Sequence, residues 1–139
     1  MTSLGNFTLL EEQPPSPASA KMLWEIVAVE YGRGTGWELA ITMESDGQFI
    51  LLTFANVVSF RAQDEGNMLE YWPIIKREGV AVGTIYEIGR STYKDEFQAN
   101  SVAGIAMPLT HYLVAGNNLC VEPLTGPDDA PTMSAIPLT

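Results

Sequence analysis

The chain reads as a β-rich α+β domain, a mostly antiparallel sheet of about six or seven strands with one or two short helices around a single core. Three observations predict this. Hydrophobic residues recur with period two through most of the central chain. Turn residues return at short intervals, leaving no room for the long crossovers that parallel pairing needs. Prolines crowd both ends and leave the middle nearly free of them.

The elements follow in order. Residues 1–20 form an extended, proline-rich lead-in, because Pro14, Pro15 and Pro17 oppose helix and sheet pairing alike. The globular body spans residues 21–124. Met22 to Tyr31 is β-branched and aromatic and predicts a strand apolar on both faces. Gly32-Arg33-Gly34-Thr35-Gly36 resembles a phosphate loop in composition. It leads into a strand rather than a helix, so a flexible hairpin loop is the better reading. Trp37, Leu39, Ile41 and Met43 alternate with polar or small residues and predict a half-exposed strand with Trp37 in the core. Asp46-Gly47 suits a hairpin turn. Gln48 to Phe60 continues as a long strand, bent or broken near Asn56.

After the polar loop Arg61–Asn67, Met68 to Trp72 predicts one helical turn stopped by Pro73. Val80 to Ile88 reads as a strand with Val80, Val82, Thr84, Tyr86 and Ile88 on one face. Ser91 to Phe97 predicts a short helix capped by Ser91 or Thr92, with Asp95 and Glu96 in its first turn. Thr110–Ala115 and Leu119–Leu124 form a hairpin around Gly116-Asn117-Asn118. Residues 125–139 form a proline-rich tail.

Composition narrows the function classes. Seven basic against seventeen acidic residues give a formal charge of −10, and no Lys or Arg follows Lys94. Such a field repels nucleic acid and anionic membrane and attracts basic proteins, and it also keeps a protein soluble. No apolar run is long enough to span a bilayer, and the N-terminus has no signal-peptide pattern. A single cysteine, Cys120, points to a reducing cytoplasm.

No motif commits the chain to catalysis, a metal or another cofactor. One histidine and one thiol cannot make a zinc site alone. A tight hairpin turn would bring His111 and Cys120 together as a nucleophilic pair. The apolar neighbours of Cys120 favour an inert buried thiol and a structural histidine. Asp64-Glu65 and Glu70 gather carboxylates beside Tyr71-Trp72, a composition suited to contacting a basic protein partner. Trp72 suits either such a surface or the core. Asp64, Glu65, Glu70, Tyr71 and Trp72 are therefore the candidate partner-binding residues.

The run from Phe54 to Gly66, with its Phe60-Arg61 pair followed by Asp64-Glu65-Gly66, resembles a pattern in short bacterial proteins. The runs His111–Gly116 and Cys120–Leu124 resemble their terminal hairpin. These proteins are similar to the immunity proteins of polymorphic or contact-dependent toxins. The resemblance implies a non-catalytic module that neutralises a basic toxin through a complementary surface. Two other classes compete with it. One is a small-ligand-binding β domain, a sensor or carrier, motivated by strands apolar on both faces. The other is a homo-oligomeric structural subunit in which a second copy covers such a strand.

Overall fold

A computed structural model describes residues 4–14, 24–33, 37–64, 70–100, 108–126 and 130–136. It confirms a β-rich fold of antiparallel strands with two helices, but the strands divide between two sheets. In chain order the elements are β1 (Gly5–Leu9), β2 (Glu25–Arg33), β3 (Glu38–Ser45), β4 (Gln48–Phe54), β5 (Val57–Asp64), α1 (Tyr71–Arg77), β6 (Ile85–Arg90), α2 (Thr92–Asn100), β7 (Thr110–Ala115), β8 (Leu119–Thr125) and β9 (Thr132–Ile136). The five-stranded sheet runs β1-β6-β7-β8-β5 and the four-stranded sheet runs β2-β3-β4-β9.

The sheets face one another over the larger core. Leu39, Ile41 and Met43 of β3 alternate inward, opposite Ile50, Leu52 and Phe54 of β4. Ile85, Tyr112, Val114 and Val121 meet them from the five-stranded sheet. Alternation then turns the other residues of these strands outward. On that side Tyr86, Ile88, Leu113, Ala115 and Cys120 pack with Phe7 and with Tyr71 and Ile75 of α1. Strands β7 and β8 thus have covered residues on both faces, which is why their sequences read as continuous apolar runs.

The predicted break near Asn56 is the point where the chain changes sheets. Asn56 has φ 54°, and on either side of it β4 belongs to one sheet and β5 to the other. Its carbonyl accepts the Gly126 N–H at 3.1 Å, so the corner is tied to the end of β8. The Asp46-Gly47 turn, with φ values of 50° and 78°, closes the β3–β4 hairpin as its sequence requires.

Side-chain amides stitch the layers. Asn118, in the β7–β8 turn, accepts from the Ile26 N–H at 3.0 Å and donates to the Ile26 carbonyl at 2.9 Å. It thereby acts as a further backbone partner for β2. Gln13 does the same at the start of β6. Its Nε2 donates to the Leu10 and Ile85 carbonyls, and its Oε1 accepts from the Thr84 and Ile85 N–H groups, all within 2.8–2.9 Å.

Several expectations need correction. The lead-in and the tail both contain strands: β1 pairs with β6, and β9 pairs with β4. Phe7 packs into the cluster under α1 and Met133 against the larger core, and they supply the apolar anchor each short strand needs. Pro131 directly precedes β9, so the ladder loses no donor inside it. Pro73 sits in the first turn of α1, where no N–H partner is required, and does not stop the helix. The strand expected over Val80–Ile88 begins only at Ile85, and Val82 is exposed. Trp37 is not in the core. It lies at a turn with φ 55° and is 66% exposed.

The corner at Asn56 yields a prediction. Asn56→Val forces a β-branched residue into the left-handed region and should lower stability by about 1–2 kcal/mol. Asn56→Gly should cost less, because glycine adopts that region freely. Urea midpoints of the two variants check the order; a valine variant as stable as the glycine one would exclude backbone strain as the constraint.

Candidate functional site

The outward face of the five-stranded sheet carries a polar cluster built around one carboxylate. Glu122 on β8 stands directly opposite Arg61 on β5. His111 on β7 pairs with Leu124, which places it diagonally beside Glu122. Helix α1 brings the Tyr71 hydroxyl over the same point. The turn into α2 brings Ser91, which caps the helix by accepting the Lys94 N–H at 2.9 Å. Glu122, His111 and Ser91 are all wholly buried.

The carboxylate is fully engaged. Oε2 accepts from Arg61 Nε at 2.9 Å. Oε1 accepts from Tyr71 Oη at 2.5 Å and His111 Nε2 at 2.8 Å, with Arg61 Nη2 at 3.3 Å. Arg61 Nη2 also donates to Tyr71 Oη at 2.8 Å, and its guanidinium lies 4.3 Å from the centre of the Tyr93 ring. The Tyr93 hydroxyl is hydrogen-bonded to Ser59 at 2.6 Å.

The proton positions follow from the electrostatics. Burial opposes the charge on Glu122, but donation from His111, Arg61 and Tyr71 outweighs it and holds the carboxyl below its ordinary pKa. Burial pushes the His111 imidazole below its ordinary value despite the attraction of Glu122. The neutral ring therefore carries its proton on Nε2, facing Glu122, and leaves Nδ1 as an acceptor. Ser91 Oγ, 2.5 Å away, donates to it. Burial and the adjacent Glu122 raise the Tyr71 phenol well above its ordinary range.

Serine, histidine and glutamate in a hydrogen-bonded row invite comparison with a nucleophile and its base. Here the serine hydroxyl donates to the ring and accepts from the α2 backbone, and it is sealed from solvent. Its evident task is to join α2 to the sheet. Cys120 does not meet His111: it pairs with Ala115, four residues further along β7. Burial, reinforced by Glu122, pushes its thiol up to about 11.

A second group of residues is accessible. Tyr31 at the end of β2 stacks on Trp37, with ring centres 6.2 Å apart, and packs on Phe60 of β5 at 5.1 Å. The Tyr31 hydroxyl donates to the Val57 carbonyl at 2.6 Å, and the Val57 N–H donates to the Trp37 carbonyl. These bonds fix an aromatic ledge where the edge strands β2 and β5 of the two sheets lie side by side.

The residues singled out from the sequence are dispersed. Asp64 is exposed at the end of β5, two alternations beyond Phe60 on the same strand face. Glu65 lies outside the described residues. Glu70 is exposed at the start of α1, and Trp72 is half-buried against the smaller core. Tyr71 points inward to Glu122. Among the described residues, no group of three His, Cys, Asp or Glu side chains is placed to hold a metal ion. Sequence reasoning missed Glu122. Its signal was a lone acid within an apolar strand covered on both faces, where only paired charge is tolerated.

Two predictions follow from the cluster. Glu122→Ala strands Arg61, His111 and Tyr71 without their acceptor. It should cost about 2–4 kcal/mol, somewhat less than breaking a fully buried pair, because Arg61 remains 38% exposed. Glu122→Gln, which keeps the shape, should cost less. Denaturant titration of both variants measures the difference, and wild-type stability of the alanine variant would refute the anchoring role.

Stability should also depend on pH at both ends. The unfolded chain takes up a proton on His111 near 6.5, which the folded ring resists, so stability is lost as pH falls below that value. Glu122 adds to the loss as pH falls below about 4.5 and through its lower folded value. Cys120 works in the opposite direction, losing stability as pH rises from 9.0 towards 11. A melting-temperature plateau between about pH 7 and 9 is expected; a rise on acidification below 6.5 would contradict the assignment.

No family model matches this chain, and no curated protein or solved structure matches it either.

Proposed function

We propose that the protein is a non-catalytic binding module that docks a basic protein partner in a reducing cytoplasm. The immunity of a cell to a basic toxin is the setting that the sequence resemblance suggests. The observation that carries this reading is the exposed Trp37, stacked on Tyr31, which in turn packs on Phe60 of the other sheet. Large aromatics fixed at a surface are the residues from which binding energy is most often drawn. The charge of −10 supplies long-range attraction for a basic partner. Asp64 shares a strand face with Phe60, so the ledge and one of the acids suggested by the sequence belong to one surface. Among the described residues no helix is long and apolar enough to cross a membrane.

Trp37→Ala should weaken partner binding by about 2–4 kcal/mol while leaving the melting temperature nearly unchanged, since the side chain is mostly in solvent. Capture of interactors from cell extract at low and moderate salt, with wild type and variant in parallel, tests this. A basic protein retained by the wild type, weakened by salt and lost from the variant is expected. Equal retention by both proteins would remove the ledge from the interface.

A further inference from the structure

Among the described residues, the flank of the sandwich opposite the aromatic ledge is not closed. The edge strands there are β1 and β9, and the chain segments that adjoin them stand apart. Leu10-Glu11-Glu12 follows β1 on one side, and Ala130-Pro131 precedes β9 on the other. Between them lies a recess of about 350 Å³, within the range of small-molecule sites. Its depth is apolar: Leu52, Ile85 and Tyr112 belong to the large core, and Met133 packs against them.

The mouth has a different chemistry. Glu11 and Glu12 are exposed there, and the lining contains no Lys or Arg among the described residues. The acidic wall is held in place. Leu10 N–H donates to the Ile85 carbonyl at 3.1 Å, and Gln13 makes four bonds to Leu10, Thr84 and Ile85. A preformed apolar recess under a fixed negative rim selects an apolar body with a positive head.

We propose that this recess binds a small organic ammonium ion with an aromatic or aliphatic body. The body enters over Leu52, Tyr112 and Met133, and the ammonium group stays at the surface between Glu11 and Glu12, partly hydrated. Both terminal segments then have a task beyond completing the sheets, because they build the two walls of the site. This site lies on the flank away from Trp37 and does not depend on the protein-docking surface.

Tryptamine, its alcohol analogue tryptophol and the acid indole-3-propionate share an indole body and differ in head-group charge. Titration of each into the full chain, followed by calorimetry and by the methyl resonance of Met133, tests the proposal. Tryptamine should bind saturably, shift the Met133 signal, and bind about fivefold to tenfold more tightly than tryptophol, as expected for partly screened ion pairing. Indole-3-propionate should bind most weakly. Glu11→Gln with Glu12→Gln should equalise tryptamine and tryptophol without abolishing either. Ala130→Trp, at an exposed wall position, should abolish both with the melting temperature unchanged. Equal affinity for the three probes in the wild type, an unmoved Met133 signal, or no binding at millimolar concentration would each overturn the proposal.

Discussion

A carboxylate removed from water must find several donors, and the outer half of this fold is arranged around that requirement. Glu122 draws donors from β5, β7 and α1, and through His111 it reaches Ser91 at the head of α2. Helix α1 has an apolar anchor in Ile75, but α2 has no buried residue in its own span. Polar links seat α2 on the sheet instead: Ser91 at its head bonds to His111, and Tyr93 bonds to Ser59 and packs against Arg61 and His111. A buried charge of this kind adds modest net stability when complete and a large penalty when broken.

The inner half follows a different rule. There the sheets meet through aliphatic and aromatic side chains. Asn118 and Gln13 each satisfy backbone groups that strand pairing leaves open, at the turn beside β2 and at the start of β6. Glu78, just after α1, does the same for the edge strand β1 by accepting the Asn6 and Phe7 N–H groups. Covered edges discourage uncontrolled strand addition. What stays open is chemically specific: an aromatic ledge on the β2–β5 flank and an acid-rimmed recess on the β1–β9 flank. A framework locked on both faces can present both without internal rearrangement.

Much of the fold was legible because local chemistry and tertiary structure agree. Asp46-Gly47 dictates a tight hairpin, Ser91 caps α2, and the hairpin around Gly116 to Asn118 appears where its turn residues place it. Other features were hidden because composition outweighed position. The prolines at both ends suggested unpaired segments, yet apolar residues dock both short edge strands: Phe7 and Leu9 in β1, and Met133 in β9. Trp37 continued an apolar alternation, but its left-handed backbone falls outside the strand and turns the ring to the surface. Tyr71 resembled a contact residue and is instead a buried donor to Glu122.

The sequence by itself determined the strand-dominated class, the order of the central hairpins and the acidic character of the surface. These depend on near neighbours: period-two hydrophobicity, turn residues with the required φ, and a sum of charges. Only the tertiary structure decided that β4 and β5 lie in different sheets, that Arg61, Tyr71, Ser91 and His111 converge on Glu122, and that the two chain ends wall a recess. Those outcomes rest on contacts between residues far apart in the chain. A lone buried charge announces that it needs partners, but strand register and sheet packing choose which they are.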